Sequence, residues 1–174
     1  SYQTGIGCGK VVKEVSYTIA NANTKEILGW KADLSKYFDS VPLKYIDAAF
    51  DAVEKKYGHS AVIQVLRKYY HSNWYFDENN VLQSNFQSLK QGCAVASWLA
   101  DVLLYSLDEE MSKLQGYYVR YSDDMLYIGS DYQWAMEILQ KRLGEMEMKL
   151  NPDKVEYIKD SVWFKFLGFS IKGK

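Results

Sequence analysis

The stretch Tyr117-Tyr118-Val119-Arg120-Tyr121-Ser122-Asp123-Asp124-Met125-Leu126-Tyr127-Ile128 carries the strongest structural signal in the chain. Residues 117–120 and 125–128 are rich in β-branched and aromatic side chains, so the segment predicts a hairpin with Tyr121, Ser122, Asp123 and Asp124 at its tip. That tip is chemically peculiar, because two-residue hairpin turns favour Asn-Gly or Asp-Gly and adjacent carboxylates repel one another. A cation is expected to neutralise the pair. Working outward, residues 30–34 read as a short apolar strand containing Asp33, and if that strand lies beside the hairpin three carboxylates converge. Such a cluster can hold two hard divalent cations roughly 3.5 to 4 Å apart, the arrangement that serves in-line phosphoryl transfer. Taken singly, the acid pair fits a solvated turn, and Asp33 a helix cap, better than either fits a metal site.

The rest of the chain supplies helices and further strands. Residues 9–21 and 43–57 carry apolar side chains at helical spacing, the second with Ile46, Ala49, Phe50 and Val53 on one face and Pro42 where a helix can start. Residues 61–70 read as a short helix. Trp74-Tyr75-Phe76 and Val81-Leu82-Gln83 flank Asp77-Glu78-Asn79-Asn80, whose turn chemistry predicts a second hairpin. Residues 94–111 read as a long amphipathic helix and 134–146 as another; Asn151-Pro152-Asp153-Lys154 then breaks the pattern before two last strands, 155–158 and 164–171. The order predicts an α+β fold with helices packed on an antiparallel sheet.

Composition sets outer limits. A chain of 174 residues, 48% hydrophobic, can bury a core and falls within the size of one domain. Its 5 Trp, 7 Phe and 15 Tyr argue against disorder. The balance of 21 Lys and Arg against 22 Asp and Glu would not by itself point to nucleic acid. Two cysteines, Cys8 and Cys93, are too few for a disulfide scaffold and are not spaced as a metal knuckle, so a cytoplasmic setting is expected. No apolar run approaches the ~18 residues of a membrane span.

The order of the segments resembles that of reverse transcriptases. Ala32-Asp33-Leu34-Ser35-Lys36-Tyr37-Phe38-Asp39-Ser40-Val41 resembles the first palm motif of that family, an Asp followed five residues later by an aromatic. Gln91-Gly92, followed by Leu99-Ala100-Asp101 and Leu107-Asp108, resembles the second, and Tyr121-Ser122-Asp123-Asp124 matches the Tyr-x-Asp-Asp box. Asn151-Pro152-Asp153-Lys154 resembles the lysine-bearing fourth motif, and Phe166-Leu167-Gly168-Phe169 the primer-grip hairpin. Five motifs in family order span residues 30–171.

The resemblance implies a polymerase right-hand palm with partial fingers and no thumb: fingers at about 1–29 and part of 55–90, palm at 30–54 and 91–174, in one domain of 1–174. It implies two Mg²⁺, with Mn²⁺ able to substitute, bridged by Asp33 and Asp123, supported by Asp124 and completed by the Leu34 carbonyl. The amides of Lys36 and Tyr37 would face the triphosphate; Phe38 would lie under the nucleotide sugar and reject a 2′-hydroxyl. Gln91 would contact that sugar, and Gly92 would let the template backbone approach. Lys154 would protonate the departing pyrophosphate. Tyr121 and the Leu167-Gly168 turn would touch the primer end, whereas Tyr118 and Trp163 are expected in the core. The implied partners are an RNA template, a DNA primer and deoxynucleoside triphosphates.

The match has departures. Gln91-Gly92-Cys93-Ala94-Val95-Ala96-Ser97 lacks the Ser-Pro pair that follows Gln-Gly in group II intron and many bacterial enzymes, and Tyr2-Gln3-Thr4-Gly5-Ile6-Gly7 resembles a fingers motif without its arginines. Diversity-generating enzymes lose the Gln retained here, which leaves group II-like, retron-like and phage-defence types open. Basic fingertips and a helical thumb are expected in further parts of a longer parent protein. Untemplated or protein-primed DNA synthesis, a non-catalytic polymerase-like scaffold and a palm-type nucleotide cyclase are the competing readings.

Overall fold

The structure, a computed structural model, describes residues 7–22, 26–34, 41–84, 89, 94–148 and 150–173. In chain order the elements are α1 (Cys8–Asn21), β1 (Ile27–Asp33), α2 (Leu43–Tyr57), α3 (Ala61–His71), β2 (Trp74–Phe76), β3 (Leu82–Ser84), α4 (Ala94–Met111), β4 (Tyr117–Tyr121), β5 (Asp124–Ile128), α5 (Tyr132–Glu145), β6 (Val155–Lys159), β7 (Trp163–Phe166) and β8 (Phe169–Lys172). A 3-10 turn, Pro152–Lys154, leads into β6.

Four strands pair in the order β4-β5-β1-β6, antiparallel throughout. β1 lies inside this sheet and is buried on both faces, which accounts for its apolar run Leu28, Trp30, Ala32. Ile27 faces Lys159 while Gly29 faces Ile158, so β1 carries one residue more than β6 across that interval. The bulge re-aims the strand: Leu28 joins one apolar layer, and Trp30 and Ala32 join the other. Gly29 has a steric reason, since a Cβ there would lie 1.9 Å from the Tyr127 carbonyl oxygen.

On one side of the sheet, Trp30, Ala32, Leu34, Met125 and Tyr127 pack against the buried faces of α2, α3, α4 and α5. On the other, Leu28, Leu126, Ile128 and Ile158 meet Val11, Val15 and Ile19 of α1 and Phe164, Phe166 and Ile171 of β7 and β8. Val11, Val15 and Ile19 recur every four residues, one stripe of a helix. The result is an antiparallel sheet between two layers, the α+β architecture expected of a palm.

Three local expectations change. Residues 164–171 are not one strand: the Leu167-Gly168 turn folds them into the β7–β8 hairpin, both residues having positive φ (49° and 81°), the signs of a tight I′ turn. Trp163 is 63% exposed, so it is not core; it alternates with the buried Phe164 and Phe166 on the outer face of an edge hairpin. α4 buries Leu99, Leu104, Leu107 and Met111 yet also exposes Trp98 and Tyr105, so it is apolar on more than one face rather than simply amphipathic. Among the described residues no helix is long and apolar enough to cross a membrane.

Candidate active site

Sheet register brings the acids together. Asp33 at the end of β1 stands directly opposite Asp124 at the start of β5, and Asp124 also faces Tyr121 of β4. Residues opposed in this way share a face, with Cβ atoms about 4.5–5.5 Å apart. The face is the one that Leu126 and Lys31 occupy further along, because side chains alternate along each strand. Ser122 and Asp123 form the two-residue turn between Tyr121 and Asp124, with Ser122 at φ 58°.

A serine in that backbone region costs energy that a glycine would not incur, so the turn needs support. It receives it from both sides. The Leu34 amide donates to the Asp123 carbonyl at 2.9 Å, fastening the tip to the strand that carries Asp33. Arg120 donates to the Ser122 carbonyl at 3.0 Å.

Arg120 was not among the residues singled out by sequence, and it organises the back of the site. It is 8% exposed, donates to Asp101 at 2.7 Å and to Asp108 at 2.9 Å, and Tyr118 donates to the same Asp108 at 2.7 Å. Burial works against its charge, but the hydrogen bonds and charges of Asp108, then Asp101, outweigh that and hold the guanidinium above its ordinary pKa. Tyr118, pushed up by burial and next by the Asp108 charge, stays a neutral donor. Asp101 and Asp108 thus clamp α4 to β4. A signal for the clamp existed: two acids seven residues apart lie on one face of a helix, and one arginine interrupts an otherwise apolar strand.

The carboxylates themselves are under electrostatic load. Partial burial, then the charges of Asp123 and Asp33, raise the Asp124 pKa, while Lys31 on the same face pulls it back. Lys154 emerges from the 3-10 turn, where the Asn151 side chain accepts from the Asp153 amide, and its ammonium lies 3.0 Å from Asp33. Asp33, Asp123, Asp124 and Lys154 therefore gather at one end of the sheet, with Tyr121 exposed on the same face. The Leu34 side chain is buried while its amide holds the tip. Leu167 and Gly168 form the separate hairpin turn described above. Lys36, Tyr37, Phe38, Gln91 and Gly92 lie outside the described residues.

Carboxylate oxygens suit a hard divalent cation, and the load on Asp124 is what such a cation would relieve. The donors do not stand ready as a closed cage: among the described residues no three His, Cys, Asp or Glu side chains are grouped to hold a metal ion, and Lys154 occupies one oxygen of Asp33.

The sequence pattern of the family described as reverse transcriptase (RNA-dependent DNA polymerase) matches residues 2–171. A search of curated proteins finds no match. Among solved structures, the fold is similar to apo telomerase from Candida tropicalis truncated from its C-terminal domain, with a TM-score of 0.64 at 11% identity. The likeness covers 97% of this chain and 39% of the telomerase chain. At that identity it speaks to fold alone, and the fold it supports is the palm-type sheet that aligns Asp33 with the acid-bearing hairpin. With the family pattern running through nearly the whole chain, this protein belongs to the reverse transcriptase family.

Proposed function

We propose that the chain is the polymerising core of an RNA-directed DNA polymerase, adding deoxynucleotides to a primer 3′ end on an RNA template. The observation that carries this reading is the direct opposition of Asp33 and Asp124 beside a hairpin tip bearing Asp123. Asp33, Asp123, Asp124 and the Leu34 carbonyl would hold two Mg²⁺, or Mn²⁺ in their place. Bound there, the ions would lower the pKa of the primer hydroxyl and neutralise the charge developing on the triphosphate.

The chain's own groups divide the remaining work. Lys154, already at the cluster, would leave Asp33 as metal arrives and donate a proton towards the departing pyrophosphate. Tyr121, exposed beside Asp124, and the Leu167-Gly168 turn would bear on the primer terminus. By the resemblance, Lys36 and Tyr37 amides bind phosphate, Phe38 excludes a 2′-hydroxyl, Gln91 reads the sugar and Gly92 admits the template strand. In this reading residues 30–54 and 91–174 form the palm, 1–29 and part of 55–90 contribute to fingers, and the setting is a cytoplasmic, bacterial retroelement-type or defence-type enzyme.

The test is extension of a DNA primer on an RNA template of defined sequence, with the product sequenced. A complementary product is expected. A product unrelated to the template would favour untemplated synthesis, and none in either divalent cation from the intact parent protein, with its thumb and fingertips, would favour a scaffold. Replacing Phe38 by Ala is expected to raise ribonucleotide incorporation relative to deoxynucleotide; unchanged discrimination would make Phe38 a packing residue.

A further inference from the structure

Lys31 lies on β1 between Trp30 and Ala32, both almost fully buried, while its own side chain is partly exposed. An apolar residue there would pack without the entropy cost of ordering a long charged side chain. The fold alone does not call for a lysine. Its ammonium donates to the Lys165 carbonyl of β7 at 2.8 Å and pairs at 2.8 Å with Glu156, its direct cross-strand neighbour on β6.

That bond crosses a gap in the sheet. β7 and β8 form their own two-stranded sheet, with strand pairing to each other and not to the four-stranded sheet. The hairpin is seated by the apolar contacts of Phe164, Phe166 and Ile171. Apolar contact is non-directional and fixes distance better than register. A charge-assisted hydrogen bond has direction, and this one originates two residues before Asp33 on the same face, about 7 Å along the strand.

We propose that Lys31 is a positioning residue that fixes the β7–β8 hairpin relative to Asp33 and Asp124, with Glu156 aiming its ammonium at the Lys165 carbonyl. The inference rests on the proposed polymerase function for what is positioned, the primer terminus between the hairpin turn and the carboxylates. In this proposal Lys31 acts through the hairpin; its charge also reaches Asp124, and Lys31→Arg and Glu156→Gln keep that charge while altering the tether.

Three variants test it, Lys31→Met, Lys31→Arg and Glu156→Gln, read by steady-state primer extension and by hydrogen exchange of residues 163–172. Losing a charge-assisted bond is expected to raise KM for primer–template roughly tenfold in Lys31→Met, leaving KM for the nucleotide within about twofold. Exchange should quicken in the hairpin but not in β4 and β5. Lys31→Arg should restore most of the primer KM, and Glu156→Gln, which keeps the Lys165 bond but loosens its aim, should have a smaller effect of the same kind. If Lys31→Met proves too unstable to assay, Glu156→Gln alone carries the decision. Unchanged hairpin exchange, or primer and nucleotide KM rising together without rescue by Arg, would overturn the proposal. An intact wild-type parent protein that extends no primer would instead overturn the function; the exchange comparison would still decide whether Lys31 tethers the hairpin.

Discussion

Among the described residues two hairpins close with two-residue turns, and they differ in what supports the turn. The β7–β8 turn places Leu167 at φ 49° and Gly168 at φ 81°, and only the glycine takes up that conformation at little cost. The β4–β5 turn places Ser122 at φ 58° next to adjacent acids, and relies on the Leu34 amide and the Arg120 guanidinium for support. The first turn sets one unfavourable residue, Leu167, beside a glycine that adopts positive φ at little cost. The second is locally unfavourable and is held by tertiary contacts from β1 and β4, while α4 anchors Arg120 in turn. Where a chain departs from good turn chemistry and surrounds the departure with buried polar support, the departure is where chemistry is concentrated.

The strongest way to break this contrast is to remove the support. Arg120→Ala leaves Asp101 and Asp108, two turns apart on α4, without their shared partner, and stripping one member from such a buried ionic network costs about 3–5 kcal/mol. Chemical denaturation of wild type and variant should show a loss of that size. A loss below about 1 kcal/mol would mean the clamp behaves like a surface ion pair.

Swapping glycine between the turns sharpens the comparison. Gly168→Ala is expected to destabilise by about 1–2 kcal/mol, because alanine must adopt a left-handed backbone. Ser122→Gly should stay within about 0.5 kcal/mol of wild type, the relief of serine strain offsetting the greater flexibility of glycine when unfolded. Equal responses at the two positions in thermal unfolding would erase the distinction.

The smallest effect concerns charge. Because the folded pKa of Asp124 is raised above its ordinary 3.8, the native state binds that proton more tightly than the unfolded chain does. Stability is therefore lost as pH rises from 3.8 through the raised value, and the deficit persists above it. Asp124→Asn, which cannot ionise, should be more stable than wild type at neutral pH in chelator and converge with it in acid. A variant that is less stable at neutral pH would show that the carboxylate is held by favourable contacts instead.

Much of this was legible in the sequence because the responsible forces are local or periodic. Helix faces such as Ile46, Ala49 and Phe50 announce themselves by spacing, and the acid pair between two β-rich runs marks a hairpin tip. That Asp33 would meet the tip followed from placing its strand beside the hairpin, and the register bears it out. Lys154 also arrives at the cluster, through its contact with Asp33. What stayed hidden depends on pairing between distant segments. Asp101 and Asp108 were visible as motif positions, but their partner Arg120 becomes evident only when α4 lies against β4. Lys31 looks like an ordinary polar position until its ammonium is found on the Lys165 carbonyl of β7. Trp163 reads as core by its chemistry and is exposed because the Leu167-Gly168 turn makes residues 163–172 an edge hairpin, which the apolar run around it conceals.

The central claim is that the acids at the strained tip serve catalysis rather than folding. Asp123→Asn tests it when primer extension in Mg²⁺ and thermal unfolding in chelator are measured on the same protein. Neutralising one of three mutually repelling carboxylates should leave Tm unchanged or slightly higher. Extension should fall by roughly a thousandfold, about 4 kcal/mol of lost transition-state stabilisation. A variant that extends primers at the wild-type rate would contradict the catalytic assignment, and one that loses activity only because it unfolds would make Asp123 a structural residue.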